Sequence, residues 1–435
     1  MPAVVHAYPT RYNLSVRCRR LVVFILSAAA LAQTSSKPGS QTEIKSVTVP
    51  ITLDHNRVVI DVTIPLPNGT TQRVHAWVDN GNPDLVLSNS LAHKMGLTLM
   101  CAGQICSTPT PLPEILIGDM KVPVSNIKQS IWEKPENAMS IAFPGMSAEI
   151  NIPSTILRNY DVLINYPGRE LTIAQPGILR FKGVTAKVIV NSATGLIQVP
   201  SEIEKKKYNL ALDLGSSISF LANGLFNKLS AAHPAWPHMT GAVGPANLWG
   251  LDDEPKWKLM RLDRLQFGPL FFTNVAVVDF PEDRQASFEK RAGIPTAGLL
   301  GANTLLNYRV GLDYAHSTVY FDVGRLFNFP DFDVIGLILR PEDDGRFTVL
   351  SVADFNGQPS VDGVQAGDHL VAVDGIPVSG STLGQVWSML GGEPGKERIL
   401  STERAGKQFT VVAKVQHFLG ETGEDDKSKG RARKN

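Results

Sequence analysis

The sequence predicts a mainly β protein made of two related β lobes followed by a smaller third β domain. From residue 46 onward, short runs rich in Val, Ile and Thr alternate with turn signals containing Pro, Gly or Asn-Gly. This punctuation favours barrels or sandwiches over βαβ units. One pattern occurs twice, as AWVDNGNPDLVL at residues 76–87 and as LALDLGSSISFL at residues 210–221. Residues 331–419 have a different residue pattern, with strand-like runs and one short helical run.

The repeat extends beyond these two strands and sets the boundaries of the lobes. Asn89, Leu91 and Lys94 return as Asn223, Leu225 and Lys228, at the same offset of 134 that separates the two patterns. A later block, NY-V at residues 159–162, returns at residues 307–310 with an offset of 148. The second copy therefore carries about 14 extra residues, which we assign to the loop 233–255. The lobes are predicted at residues 44–176 and 181–324.

Composition excludes some partners. The 435 residues are 43% hydrophobic and 19% charged, with a formal net charge of +1. Such a balance gives no electrostatic reason to expect nucleic acid as a partner. The length allows two to four domains. The charged end of the chain, residues 420–435, lacks large apolar side chains and is predicted to be disordered.

The N-terminus resembles an export signal. Three arginines between residues 17 and 20 precede an apolar run at 21–32 that ends in Ala-Leu-Ala, a small-residue cleavage site. We expect residues 1–32 to be removed, leaving a Ser-, Pro- and Gly-containing linker at 33–43 and a secreted or periplasmic protein. The run is short for a membrane span, so no stable span is expected after cleavage. An uncleaved anchor is the alternative, because the segment before the apolar run is long for a signal peptide.

Two cysteines would remain in the mature chain. Cys18 lies before the apolar run and would leave with the signal, whereas Cys101 and Cys106 are separated by four residues of a loop-like stretch. They could close a small disulfide in an oxidising compartment. A metal site there is disfavoured, because no histidine or second cysteine pair lies nearby.

Asp79 and Asp213 are the candidate catalytic residues, one in each copy of the repeated pattern. An ionisable residue inside an apolar strand costs several kcal/mol to bury unless partners or a function hold it there. A lone Asp-x-Gly is more often a turn than a catalytic residue, but the duplication suggests a shared site. Two carboxyl groups about 3 Å apart share a proton, so one can act as base on a water while the other polarises a carbonyl. Gly81 and Gly215 would permit the tight turns that follow.

These residues resemble the aspartic proteases, specifically the retropepsin-like group of bacteria. The family lobe carries an apolar run with Asp-Thr/Ser-Gly, then an apolar-apolar-Gly motif, then a strand with Asp-Tyr. The second lobe follows this order with LDLGSS at 212–217, LLG at 299–301 and RVGLDY at 309–314; the first has VDNG at 78–81, NIP at 151–153 and INY at 164–166. The resemblance covers about 280 residues. It implies Asp79 and Asp213 as a dyad that cleaves polypeptides without metal or cofactor, supported by Asn80, Gly81, Leu214, Gly215, Ser216 and Gly301.

The chain departs from the family at three supporting positions. Asn80 and Leu214 stand where the family has a hydroxyl residue that braces the two loops; Asn can donate and accept hydrogen bonds, whereas Leu cannot. Pro153 replaces a glycine and removes a backbone donor. Two readings therefore stay open: an active endopeptidase, or an inactive peptide-binding scaffold. An intramolecular pair is preferred, with a homodimer of two second lobes as the alternative.

The third domain resembles the PDZ domains that accompany bacterial proteases. The matching residues are VQAGDHL at 364–370 and VDG at 373–375. The resemblance implies that peptide or protein C-termini bind at Ile335, Gly336, Leu337 and Ile338, as a strand added to a sheet edge. The alternative is a small β domain that only packs on the lobes. Motifs of serine proteases, zinc proteases and phosphate-binding loops do not occur in the sequence.

Overall fold

The computed structural model describes residues 44–102, 105–132, 148–324, 331–420 and 422. The predicted signal peptide, the linker and nearly all of the predicted tail lie outside these residues. Within them the prediction of a mainly β protein is confirmed, with about half of the chain in strands. No helix in the described residues is long and apolar enough to cross a membrane.

The first unit, residues 44–176, is built around a ten-stranded sheet. Its strands are rich in β-branched residues that are buried along their central parts, as in RVVIDVTIP of β3. Strands β2 and β3 form a two-residue hairpin in which His55 and Asn56 both have positive φ, as a type I′ turn requires. The elements of this unit are β1 Ser46–Pro50, β2 Thr52–Asp54, β3 Arg57–Pro65, β4 Thr71–Asp79, β5 Leu85–Ser88, α1 Asn89–Lys94, β6 Met100–Ala102, β7 Ile105–Ser107, β8 Glu114–Ile117, β9 Met120–Pro123, β10 Gln129–Trp132, β11 Ala148–Pro153, α2 Ser154–Leu157, β12 Asp161–Asn165 and β13 Glu170–Ala174.

The second unit, residues 181–324, contains an eight-stranded sheet. Its helix α4, Glu282–Ala292, has two acidic residues in its first turn and two basic residues in its last turn. The next residue, Gly293, has the left-handed conformation that commonly ends a helix. The elements of this unit are β14 Val184–Lys187, β15 Ile189–Val190, β16 Ile197–Ile203, β17 Lys206–Leu212, β18 Ser219–Ala222, α3 Asn223–Ala232, β19 His238–Thr240, β20 Lys258–Phe267, β21 Leu270–Phe280, α4 Glu282–Ala292, β22 Gly298–Leu300, β23 Tyr308–Asp313 and β24 Thr318–Val323.

The sequence repeat corresponds to a repeated strand arrangement. In the first unit β11 runs parallel to β4 and antiparallel to β5, and β5 runs parallel to β10. In the second unit β22 runs parallel to β17 and antiparallel to β18, and β18 runs parallel to β21. In each unit a helix follows the second of these strands, α1 after β5 and α3 after β18. The two units therefore hold their aspartate strands in the same local framework.

A six-stranded sheet joins the two units. Its order is β1-β13-β12-β23-β24-β14, so that β12 of the first unit pairs antiparallel with β23 of the second. Val162 and Leu312 are opposite each other in this pair and are fully buried. One apolar core, which includes both residues, extends from one unit into the other. The two units consequently share an interior as well as a sheet.

The third unit, residues 331–419, has its own sheet and its own apolar core. The sheet order is β26-β27-β30-β32-β33, which leaves β26 at an edge. Helix α5 begins with a capping box between Thr382 and Gln385. The elements are β25 Asp333–Val334, β26 Leu337–Pro341, β27 Phe347–Val352, β28 Asp354–Phe355, β29 Gln358–Pro359, β30 His369–Val373, β31 Ile376–Pro377, α5 Leu383–Leu390, β32 Glu397–Arg404, β33 Lys407–Lys414 and β34 Gln416–His417.

Gly301 follows β22 at a position that admits no side chain. A Cβ atom there would lie 2.3 Å from the carbonyl oxygen of Ile218. We expect Gly301→Ala to lower the free energy of unfolding by about 1–3 kcal/mol, because the two backbones must move apart. A Cβ atom on Gly224 in α3 would have no neighbouring atom within 4 Å, so Gly224→Ala should raise the free energy of unfolding by up to ~1 kcal/mol. Chemical denaturation of both variants measures the difference, and equal effects would contradict the close approach.

Candidate active site

The two aspartates lie at equivalent ends of buried strands. Asp79 is the last residue of β4 and is paired with Pro153 of the parallel strand β11. Asp213 directly follows β17, and its N–H donates to the carbonyl of Leu300 in the parallel strand β22, at 3.0 Å. A parallel neighbour thus fixes where each strand ends and where each aspartate begins its turn.

Each aspartate is held by the glycine two residues later. The N–H of Gly81 donates to Oδ1 of Asp79 at 3.1 Å, and the N–H of Gly215 donates to Oδ1 of Asp213 at 2.9 Å. The same hydrogen bond therefore orients both carboxyl groups. Because an N–H donor stabilises an ionised carboxylate, the bond also favours the charged form of each group.

The glycines also bring the two carboxyl groups together. A Cβ on Gly81 would lie 2.3 Å from Cγ of Asp213, and a Cβ on Gly215 would lie 2.5 Å from Oδ1 of Asp79. Each glycine is therefore in contact with its own aspartate and with the aspartate of the other unit. No larger residue fits at either position while the two loops keep this approach. The structure thus brings the two predicted aspartates close to each other within one chain.

Asn80 forms the brace between the two loops. Its Nδ2 donates to the carbonyl of Leu212 at 2.8 Å, and its Oδ1 accepts from the N–H of Leu214 at 2.6 Å. The side chain is fully buried. One amide thus supplies both the donor and the acceptor that a bracing hydroxyl would supply. Leu214 is also fully buried, and it belongs to the apolar core.

Pro153 leaves its loop supported. In the second unit the N–H of Gly301 donates to Oγ of Ser219 at 3.0 Å, whereas in the first unit the position equivalent to Ser219 is Leu85. The side chain of Leu85 has no oxygen that could accept a hydrogen bond, so the N–H that Pro153 lacks would have no such acceptor in the first unit. Both loops keep the next bond along the chain, from the N–H of Ser154 to the carbonyl of Asn82 at 2.9 Å and from the N–H of Ala302 to the carbonyl of Ser216 at 2.8 Å.

Burial changes the acidity of the pair. Only 6% of Asp79 and 9% of Asp213 is exposed. Desolvation raises the pKa of both carboxyl groups, and for Asp79 the charge of Asp213 raises it further. The positive charge of Arg291 opposes both increases. Since two like charges in one dry site repel each other, the pair retains a proton at pH values where an exposed aspartate has lost it.

A cavity of about 460 Å³ opens above the two carboxyl groups. Its walls are mainly apolar, include six aromatic side chains and come from both units. Helix α4 contributes Arg284 and Arg291, and Arg284 is paired with Asp253 at 2.8 Å. The aromatic lining consists of Trp77, Phe220, Trp249, Trp257, Phe280 and Phe288. Such a cavity suits a ligand with apolar side chains and one polar group directed at the carboxyls.

Sequence reasoning named none of the α4 side chains. The signal was present in the acidic first turn, the basic last turn and the glycine at 293, which together are typical of a helix. What the sequence lacked was the direction of that helix, since its contacts with the dyad depend on the packing of the second unit. In the described residues no cluster of three or more His, Cys, Asp or Glu side chains is arranged to hold a metal ion.

Of the remaining predicted site residues, Ser216 lies at the cavity and the cysteines and the third-unit residues lie away from it. Cys101 and Cys106 form a disulfide that joins β6 to β7. Ser216 lines the cavity, and its Oγ donates to the carbonyl of Ile218 at 2.7 Å. The predicted peptide-binding residues Ile335, Leu337 and Ile338 are buried in the third unit, and a Cβ on Gly336 would lie 2.3 Å from the ring of Phe418. Residues 335–338 therefore pack against other parts of the same chain.

No protein-family model matches this chain, and no curated protein is significantly similar to it in sequence. The site must consequently be interpreted from its own geometry.

Removing the brace should destabilise the protein. Asn80→Ala leaves the carbonyl of Leu212 and the N–H of Leu214 buried without a partner, and we expect a loss of about 1–3 kcal/mol in the free energy of unfolding. Asn80→Thr keeps a donor and an acceptor on one side chain and should recover part of this loss. Denaturant titration of the three proteins measures the effect. Equal stability of the Ala and Thr variants would show that the side-chain hydrogen bonds do not brace the loops.

Neutralising one carboxyl should stabilise the protein at neutral pH. Because the folded-state pKa of Asp213 is raised, its contribution to stability is present below the unfolded pKa of about 3.9 and is lost as the pH rises through the folded value. Asp213→Asn should therefore gain about 1–3 kcal/mol over the native chain near pH 7 and little near pH 3. Thermal or denaturant unfolding across this range measures it. Asp84→Asn, which removes an outer carboxylate paired with Lys128, is the control and should show no comparable pH-dependent gain.

Proposed function

We propose that this protein is an exported aspartic endopeptidase with retropepsin-like lobes, in which Asp79 and Asp213 activate a water molecule. The observation that carries the proposal is the shared position of the two aspartates. Each glycine after an aspartate binds its own carboxyl and contacts the opposite one. Two unrelated turns would not be expected to bring their carboxyl groups together at the floor of a cavity with aromatic side chains in its walls.

The chemistry follows from one proton held between two carboxyl groups. The ionised member takes a proton from a water molecule, whose oxygen attacks the carbonyl carbon of the peptide bond. The protonated member donates to the carbonyl oxygen as the tetrahedral intermediate forms. When that intermediate collapses, the carboxyl that took the proton from water gives it to the departing amide nitrogen. The other carboxylate takes a proton from a hydroxyl of the intermediate, so that the dyad is again singly protonated. No covalent link between enzyme and substrate is needed.

The cavity suggests the kind of polypeptide. Its aromatic side chains would bind apolar side chains on either side of the scissile bond and exclude bulk water, other than the water that the dyad activates. The exposed Arg291 places a positive charge beside both aspartates, which limits the rise of their pKa values. Because burial still raises the pKa of both carboxyl groups, the dyad would work at a less acidic pH than the ordinary pKa of an aspartate suggests.

The fold supports the proposed family through its general arrangement of strands. The repeated strand arrangement and the joining six-stranded sheet are what a tandem pair of protease-like lobes requires. The edge strand β26 and the helix α5 are what a PDZ-like domain would use to bind the C-terminal end of a peptide. The rival function is peptide binding without hydrolysis. The rival function is favoured by Leu214, whose side chain cannot form cross-loop hydrogen bonds like those of Asn80.

Hydrolysis by the mature chain tests the proposal. Beginning at residue 33, the protein should cleave an internally quenched decapeptide with Phe-Leu at its centre. The value of kcat/KM should be bell-shaped in pH, with its acid limb above the usual aspartate pKa of about 3.9. Asp79→Asn and Asp213→Asn should each lower kcat/KM by at least ~10³-fold, since either change removes one of the two roles.

The control for that experiment is Asp84→Asn, which should retain the activity because its carboxylate bonds to Lys128 outside the cavity. Equal cleavage by the native chain and Asp213→Asn would reject the dyad. Tight binding of the decapeptide by the native chain without cleavage would instead establish the rival function.

A further inference from the structure

The third unit contains a groove that the rest of the chain fills. The groove lies between the edge strand β26 and helix α5, with Ile335, Leu337 and Leu339 on one wall and Leu383, Trp387 and Leu390 on the other. The cavity that remains in it for water-sized molecules is only about 10 Å³. The remaining lining residues, His55, Gly244 and Asn247, come from the first and second units. We call the turn Asp54–Arg57 and the segment Gly244–Asn247 together the plug.

The first part of the plug is the type I′ turn of the first unit. His55 is buried, stacks on Trp387 with ring centroids 5.2 Å apart, and its Nε2 lies 3.1 Å from the carbonyl of Gly244. Oδ1 of Asp54 accepts from the hydroxyl of Thr382 at the start of α5. A Cβ on Gly384 would lie 2.4 Å from the N of His55, so the helix has a glycine where the turn enters.

The second part of the plug covers the sheet edge. Oδ1 of Asn247 accepts from the N–H of Leu339 at 2.9 Å, and Nδ2 of Asn247 donates to the carbonyl of Leu339 at 3.0 Å. These two backbone groups of β26 are the ones that an incoming extended strand would pair with. The side chain of Asn247 thus forms the two hydrogen bonds that an added strand would form with Leu339.

The contact is built from groups that water could satisfy. Asp54 and Arg57 are buried with their charged atoms 3.6 Å apart, and such a pair is seldom more stable than an apolar contact of the same size. Within the described part of the chain, Nδ1 of His55 and Nε1 of Trp387 are buried without a hydrogen-bond partner. A buried polar atom left unpaired costs roughly 1–3 kcal/mol. These features are those of a contact that can exchange with a competitor.

The plug is connected to the dyad through short paths. Nδ2 of Asn56 donates to the carbonyl of Ser217 at 3.2 Å, and the hydroxyl of Ser217 donates to the carbonyl of Pro245 at 2.9 Å. Ser217 is four residues beyond Asp213 in the same loop. The guanidinium of Arg57 also lies 5.9 Å from the ring centroid of Trp77, a wall of the catalytic cavity.

The loop that contains the second part of the plug also forms part of the cavity. Trp249 lines the cavity and packs against an apolar cluster of the first unit that includes Trp77 and Val86. The buried Glu254 ties the loop into one piece, since its carboxylate accepts from Nδ2 of Asn247 and from the N–H of Trp249. Displacement of Asn247 from β26 therefore cannot leave Trp249 in place without breaking these bonds.

We propose that the plug is an autoinhibitory contact: an extended peptide with an apolar C-terminus competes with it for the groove, and its release moves Trp249 and widens the catalytic cavity. The effect on cleavage rests on the proposed function, whereas the competition in the groove does not. Groove and cavity are thus two sites linked by one loop, and a ligand of the groove raises the activity at the dyad.

The test compares two variants of the same loop. Asn247→Ala removes both bonds to Leu339, whereas Asp252→Ala removes an exposed ion pair with the adjacent Arg340, whose charged atoms are 2.9 Å apart. The probe is a fluorescein-labelled octapeptide ending in Leu-Leu with a free carboxylate. Its affinity is measured by fluorescence anisotropy, with Asp213→Asn present in every protein so that the probe stays intact.

We expect Asn247→Ala to bind the probe about 5- to 100-fold more tightly than its parent, because two bonds of the closed state are lost and the competent fraction rises. Asp252→Ala should change the affinity by less than about twofold, as is usual for an exposed pair. Equal affinities for parent and Asn247→Ala, or no binding to either, would overturn the inference.

Hydrogen exchange supplies a second measurement that does not depend on a groove variant. On addition of the probe to the Asp213→Asn protein, amides of Leu337–Pro341 should exchange more slowly and those of 54–57 and 244–250 faster. Protection of β26 with no change in the other two segments would contradict competition. A chain that shows the exchange pattern but never cleaves a peptide would remove the proposed function alone. A chain that cleaves but shows no competition would remove only this inference.

Discussion

The architecture of this protein depends on one costly arrangement, the burial of two carboxyl groups against each other at the junction of the first two units. Such a pair is tolerated only where backbone donors and a shared proton offset the lost hydration. The glycine N–H groups at 81 and 215 supply the donors, and the amide of Asn80 locks the loops together. The joining sheet and the common core keep the units from separating and relieving the repulsion.

A second constraint comes from the loop between β19 and β20. This loop contacts the first unit through Trp249 and the third unit through Asn247, and the buried Glu254 organises it. Burial raises the pKa of Glu254 to about 7, although N–H donors from the loop and Asn247 stabilise its charged form. The extra length that the repeat analysis assigned to residues 233–255 thus falls in the segment that connects all three units. An insertion in one copy has become the connection between them.

The sequence predicted the mainly β class, and the repeat at Asp79 and Asp213 was sufficient to suggest a shared site, because duplication of a rare pattern is visible without coordinates. It could not predict that Asn80 would supply both halves of the brace, since that depends on a partner 132 residues away along the chain. It also could not predict the plug. The bond from Thr382 to Asp54 joins residues separated by 328 positions, and no local pattern encodes such a pairing. The residues expected to receive a peptide were identified by motif alone, and the structure places them in an internal contact.

The pairing of β12 with β23 has an evolutionary consequence. In a symmetric dimer of one lobe, both copies carry the same residue at the bracing position, so an asparagine there would be accompanied by a second asparagine, and two amides would compete for one space. Joining both copies in one chain removes that obligation. One position could become Asn and make both cross-loop bonds, and its counterpart could become Leu and enter the core. The unequal pair Asn80 and Leu214 is then a solution open only to a protein whose halves are free to differ.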